Sequence, residues 1–207
     1  NSTYSTWDAK NVITDSVIGQ NFGHEGVAMY GGRLAIGSPK DATSTIDKGS
    51  VVCYTWDVVE DDWTFSERLT PSLAVHNDLV GRGLSMYGDF LAVGMHGYDK
   101  PLTSTGAVQV YQWNADDGNW KEHDFLQPLT DQRASLWFGQ KIDMGHDIIV
   151  VGSDKVVWTD IDAALLFTYY YNGTNWVSDL VSLDVGLNRQ EFSITGNKLT
   201  VGANDIL

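Results

Sequence analysis

Residues 27–39 read VAMYGGRLAIGSP, and residues 84–96 read LSMYGDFLAVGMH. Fainter versions follow as IDMGHDIIVVGSD at 142–154 and SITGNKLTVGAND at 193–205. The glycine near the end of each phrase stands at Gly37, Gly94, Gly152 and Gly202, in steps of 57, 58 and 50 residues. Two further markers keep the same beat. Trp7, Trp63, Trp120 and Trp176 are 56, 57 and 56 residues apart. The stretches GSVVCYTW from Gly49, GAVQVYQW from Gly106 and AALLFTYY from Ala163 are each displaced by 57. Three markers with one period of this size define the blades of a propeller or the turns of a solenoid.

Each unit resolves into four short strands. In the first full unit these are strand A at 26–30, B at 33–37, C at 50–56 and D at 63–69. Strand C alternates, with Val51, Cys53 and Thr55 on one face and Val52, Tyr54 and Trp56 on the other. No capped stretch carries a helical stripe, so the expected fold is all-β. Between A and B stand Gly31-Gly32, Gly88-Asp89 and Gly196-Asn197, pairs that supply the positive φ a two-residue hairpin turn demands. The third unit has Gly145-His146-Asp147 there, one residue longer. An antiparallel A-B-C-D order sends the A–B and C–D turns to one face of a propeller and the longer B–C and D–A loops to the other. The repeated phrase is therefore read as architecture.

Composition narrows the function. The chain has 207 residues, 43% hydrophobic and 19% charged, which suits a packed core and not a disordered chain. Its formal net charge of −14 repels phosphate backbones and anionic bilayers, so nucleic acid is not an expected partner. No apolar run is long enough for a membrane-spanning helix, so no insertion of this segment is expected. Cys53 is the only cysteine, which excludes an internal disulfide and any multi-cysteine zinc site. Aligned by the 57-residue offset, Cys53 falls with Val110 and Phe167 and reads as a buried small hydrophobe.

With the unit laid out, the chain resembles the FG-GAP repeat of integrin α-subunit propellers and their relatives. The "FG" half corresponds to Phe22-Gly23, Phe138-Gly139 and, degenerately, Val80-Gly81. The "GAP" half corresponds to Gly37-Ser38-Pro39, Gly94-Met95-His96, Gly152-Ser153-Asp154 and Gly202-Ala203-Asn204. The resemblance covers essentially the whole chain and implies a propeller of four-stranded antiparallel blades, about 57 residues each. Its units are 11–69, 70–126 and 127–181, with 182–207 giving two strands of a further blade and 1–10 the outer strand of a preceding or closing one. The expectation is an incomplete portion of a six- or seven-bladed ring. A closed four-bladed ring is the alternative, and it would lack one C strand. Kelch propellers are the nearest competing family, but the paired glycine they carry after strand B is missing here. Many FG-GAP members hold calcium in an acidic loop between the two half-motifs. A glycine turn cannot supply the six to eight oxygens calcium requires, so this is the calcium-free form and no cofactor is expected.

No catalytic signature is present, and the chain is not expected to be an enzyme. Asp154, Asp160 and Asp162 are weak candidates for a cation site in the third B–C loop. The B–C loops of the first two units place Lys40, Asp41, Tyr98 and Asp99 on the prospective ligand face, and the third adds Trp158. Tyr98 and Trp158 are the residues a sugar or peptide could stack on, or that could pack on a neighbouring blade. Asn172 and Asn1 head N-x-[ST] sequons, Asn172 at a C–D hairpin tip where glycosylation has access. The resemblance implies a secreted or cell-surface binding or adhesion module presenting loops to protein or glycan. A structural subunit of an extracellular filament or sheath, and a propeller enzyme acting on glycans, are the alternatives from other classes.

Overall fold

A computed structural model describes residues 12–14, 21–41, 47–129, 134–153, 165–184, 191–195 and 198–202. Within them the chain is all-β. The first sheet is β1 (Val27–Tyr30), β2 (Arg33–Ser38), β3 (Ser50–Asp57) and β4 (Asp62–Leu69), joined in that order. The second is β5 (Leu84–Tyr87), β6 (Phe90–Met95), β7 (Ala107–Asn114) and β8 (Asn119–Leu126). The third is β9 (Lys141–Met144), β10 (Ile148–Ser153), β11 (Leu165–Tyr171) and β12 (Trp176–Asp184). A two-stranded sheet follows, β13 (Glu191–Thr195) with β14 (Lys198–Gly202). Every ladder is antiparallel. The first strand of each sheet packs on the first strand of the next, which makes β1, β5, β9 and β13 the innermost row of a propeller, and among the described residues the sheets do not close into a ring. The proposed strand at 1–10 lies outside the described residues.

The alternation in the sequence becomes two apolar seams. Ala28, Ala35, Val51 and Cys53 of the first sheet meet Leu84, Met86, Leu91, Val93 and Tyr111 of the second. Ala92, Val108 and Val110 on the second sheet's other face meet Ile142, Met144, Ile149, Val151, Phe167 and Tyr169 of the third. Polar staples accompany the seams. Glu67 Oε1 accepts the backbone N–H of Trp120 at 2.7 Å, and one repeat later Asp124 Oδ2 accepts that of Trp176 at 2.8 Å. Each staple contributes at most about 1.5–3 kcal/mol. Each fully buried large side chain contributes a similar amount, and a seam holds more than a dozen residues, so apolar packing holds the sheets together.

The glycines mark places where backbones touch. The N–H of Gly23, Gly81 and Gly139 donates to the carbonyl of Gly37, Gly94 and Gly152 respectively, at 2.9, 3.0 and 3.3 Å. The two halves of the repeated motif are thus hydrogen-bonded to each other within a sheet. A Cβ on Gly37 would strike the carbonyl oxygen of Gly81 in the next sheet, and one on Gly94 would strike that of Gly139. Side-chain-free positions let adjacent sheets approach backbone to backbone at the loop end of the seam.

One expectation is corrected. Gly37 pairs with Val51 and Gly94 with Val108, but Gly152 pairs with Leu166, so strand C of the third unit is displaced by 58 and not by 57. The counterpart of Cys53 and Val110 is Thr168, opposite Val150, and Phe167 points to the other seam. The third A–B turn is not longer, which corrects a second expectation: Gly145 N–H donates to Ile148 O as Tyr87 pairs with Phe90, leaving His146-Asp147 as a two-residue turn. The offset is 57 from Leu69 to Leu126 but already 58 from Val80 to Phe138, so the extra residue lies in the chain between Leu126 and Phe138. One inserted residue shifts all that follows, and a one-residue slip exchanges the faces of a strand.

Cys53 itself is 1% exposed, and burial, with Glu67 nearby, pushes its thiol pKa far up. A maleimide or disulfide reagent is therefore expected to leave the native protein unlabelled and to modify one thiol in denaturant. Rapid native labelling, followed by mass spectrometry, would contradict this packing.

Candidate functional site

The B–C and D–A loops form one knitted surface. Short parallel bridges join Gly49 to Val80 and Gly106 to Phe138, so the segment before each C strand is paired with the D–A loop of the following sheet. Val80 N–H donates to Lys48 O at 3.0 Å and Leu79 N–H to Asp47 O at 3.3 Å. One repeat later Phe138, Trp137 and Ser135 N–H donate to Thr105, Ser104 and Thr103 O. Loops tied down in this way hold their exposed side chains on a rigid base.

The structure sorts the sequence candidates. Lys40 and Asp99 are exposed. The Asp99 side chain also shapes its own loop, because Oδ1 accepts the Ser104 N–H at 2.7 Å. Asp41 is 3% exposed and not available to a ligand. Its Oδ2 accepts the Ser50 hydroxyl at 2.5 Å and pairs with Arg68 Nη1 at 3.0 Å, closing the first B–C loop from inside. Tyr98 is 6% exposed, with its ring edge-on to Phe125 at 5.4 Å, so of the two readings for this aromatic the packing one holds. Leu102 (45% exposed) and Lys100, from the same second B–C loop, remain at the surface. Trp158, Asp154, Asp160, Asp162 and Asn1 lie outside the described residues. Asn172 is exposed on the opposite face, at the β11–β12 turn, where Oδ1 accepts the N–H of Thr174 and of Asn175 at 2.9 Å each.

Sequence reasoning missed a polar group at the first seam. Glu25 precedes β1, Arg82 precedes β5, and His96 opens the second B–C loop. Arg82 Nε pairs with Glu25 Oε2, and Arg82 Nη1 faces His96 Nε2 at 3.3 Å. His96 is 4% exposed, and its Nδ1 has no hydrogen-bond partner. Burial first, and then the Arg82 charge, lower its pKa to about 4. At neutral pH it is an uncharged imidazole accepting from the guanidinium through Nε2, which leaves the proton on Nδ1. Nearby Asp78 is 1% exposed and accepts the Val75 N–H at 2.6 Å, and burial raises its pKa. A histidine in a "GAP" position gave no signal because Arg82 of its own unit, and Glu25 of the preceding one behind it, are brought to it only by the fold. Among the described residues no three His, Cys, Asp or Glu side chains converge as a metal set would.

These observations define the class: a propeller-type repeat protein whose recurring glycines are structural and whose two loop series share a face. Residues 63–111 match the FG-GAP repeat model, running from β4 through the Val80-Gly81 and Gly94 half-motifs to β7. The A–B turns among the described residues, Gly31-Gly32, Gly88-Asp89 and His146-Asp147, are two residues long. No curated protein matches the chain. Among solved structures, Sqt1 of Saccharomyces cerevisiae is similar at 13% identity and a TM-score of 0.46. That match covers 80% of this chain and 37% of the other, so this chain spans little more than a third of its length. No helix among the described residues is long and apolar enough to cross a membrane.

Proposed function

We propose that the protein is a non-catalytic, extracellular binding module that offers its B–C and D–A loops to a protein or glycan partner. The observation that carries this reading is the pairing of the first and second B–C loops with the D–A loops that follow them, which ties chemically varied segments into one surface. With Tyr98 and Asp41 turned inward, the exposed residues of this face include Lys40, Asp99, Lys100 and Leu102 from the B–C loops and Leu73 and Val75 from the first D–A loop. The net charge of −14 directs the search to neutral or cationic partners. Asn172, at an exposed tip on the other face, is a glycosylation acceptor that would leave the loop face clear.

Immobilised neutral polysaccharides, chitosan oligomers and a panel of basic proteins supply the binding test. Substituting Lys40, Asp99, Lys100 and Leu102 together by alanine is expected to weaken binding by tenfold or more, about 1.4 kcal/mol. Asp117→Ala and Asn172→Ala on the opposite face should leave it unchanged. An affinity that follows the opposite face, or turnover of the polysaccharide, would refute the proposal.

A further inference from the structure

The turns between the third and fourth strands of the sheets share one device. Asp57 ends β3, Asn114 ends β7, and Asn172 directly follows β11. In each, Oδ1 accepts the backbone N–H groups two and three residues on. The distances are 2.8 and 3.2 Å for Val59 and Glu60, 3.0 and 3.2 Å for Asp116 and Asp117, and 2.9 Å each for Thr174 and Asn175. An Asp or Asn side chain placed in this way mimics a backbone turn and fixes the hairpin tip.

What the three side chains can do next differs. Asp57 has no amide to lose. Asn114 has one, but its Nδ2 is tied to Asp117 Oδ2 at 3.0 Å, and the residue after it is Ala115. Asn172 Nδ2 has no hydrogen bond among the described residues, and the residue after it is Gly173. Gly173 is exposed at φ +93°, with nothing within 4 Å of an added Cβ. Its N–H has no acceptor among the described residues either. An unpartnered backbone nitrogen thus adjoins a side-chain amide whose carbonyl oxygen faces two donors.

We propose that Asn172 is a site of spontaneous conversion to aspartate and isoaspartate, promoted by the turn that holds it. Gly173 N gives its proton to solvent hydroxide and attacks Asn172 Cγ, closing a cyclic imide through a tetrahedral intermediate. Glycine has no side chain to crowd that closure, whereas Ala115 has one beside Asn114. The negative charge that gathers on Oδ1 meets the Thr174 and Asn175 N–H groups, which stabilise it as an oxyanion hole does. The Cγ–Nδ2 bond then breaks, Nδ2 takes a proton from water, and ammonia leaves. Water opens the imide at either carbonyl, giving aspartate or isoaspartate. Water enters, ammonia departs, and nothing is oxidised or reduced.

Asp57 shows that a carboxylate serves this turn, so the aspartate product keeps the hairpin. Isoaspartate carries the main chain through Cγ and lengthens it beside the Tyr171–Trp176 pair, so it frays that end of β11 and β12. Both products lack the amide nitrogen to which a sugar would be joined, so conversion and glycosylation of Asn172 exclude each other. The chemistry is independent of the loop-face reading.

Incubating the unglycosylated full chain at mildly alkaline pH tests this, with peptide mass spectrometry and isoaspartyl methyltransferase labelling as the readout. Asn172 is expected to convert first, to both products, while Asn114 keeps its amide over the same period. Gly173→Ala should slow conversion about tenfold or more, the effect of about 1.4 kcal/mol on the barrier. The folded chain should convert at least as fast as the same chain in urea, because only the folded turn supplies both donors to Oδ1. That comparison uses the wild type alone and stands whether or not the variant folds. An Asn172 that stays intact, equal rates at Asn114 and Asn172, no slowing in Gly173→Ala, or slower conversion in the folded chain than in urea would overturn the proposal.

Discussion

Gly94→Ala is expected to destabilise the protein by about 3 kcal/mol or more, while Gly88→Ala costs about 1. Both glycines belong to the same repeated phrase, so sequence alone does not separate them. At Gly94 a Cβ would run into the carbonyl oxygen and carbon of Gly139, which are backbone and have no rotamer to escape through. Moving Gly139 would also disturb its N–H bond to Gly152 O, already 3.3 Å, so the strain would spread into the third sheet. Gly88 sits in the β5–β6 turn at φ +57° with nothing within 4 Å of an added Cβ, so alanine meets only the left-handed backbone penalty. Gly152→Ala should fall between, since its Cβ would meet the Phe192 ring at 2.7 Å and a ring edge can turn away. Urea denaturation followed by tryptophan fluorescence gives the order. Equal losses at Gly94 and Gly88 would show that the glycines serve turn geometry alone.

Acidification is expected to weaken the fold through His96 before most carboxylates titrate. Its pKa is about 4 in the folded protein, below the ordinary 6.5, so protonation favours the unfolded chain. The stabilising difference is complete above about pH 6.5 and is lost as pH falls toward 4. The full effect is on the order of 3 kcal/mol from a shift of about 2.5 pH units. His96→Gln keeps an acceptor for Arg82 and removes the titration, so its stability curve should be flatter between pH 6.5 and 5 than that of the wild type. Parallel curves in that window would show that the imidazole is not held neutral at the seam. Glu25 bears on the result because it pairs with the same guanidinium. Glu25→Gln would leave the Arg82 charge uncompensated beside the ring and should lower the His96 pKa further.

Much of this protein was legible from residue order because its information is periodic and local. The glycine and tryptophan spacings placed β1 to β8 within a residue or so of where they lie. The alternation in Ser50–Asp57 assigned Val51 and Cys53 to one seam and Val52 and Tyr54 to the other face. Where locality ends, so did the reading. The third unit's extra residue was read into the turn at 145–147, but the ladders leave that turn two residues long and place the added residue before Phe138, which puts Phe167 on the opposite face from Cys53. Tyr98 and Asp41 looked like ligand-face residues because polar loops read as exposed, yet Phe125 and Arg68 from distant strands draw them in. The seam of Glu25, Arg82 and His96 joins residues up to 71 positions apart, and no spacing rule links them.

Residue order thus determined the period, the strands, their turns and the faces of each sheet, since pleat and turn chemistry act over a few residues. Packing between sheets decided which glycines are indispensable, which histidine is kept neutral, and which large apolar residues stay uncovered. Those outcomes depend on distances between backbones a whole repeat apart, which the hydrophobic effect sets only when one sheet closes on the next.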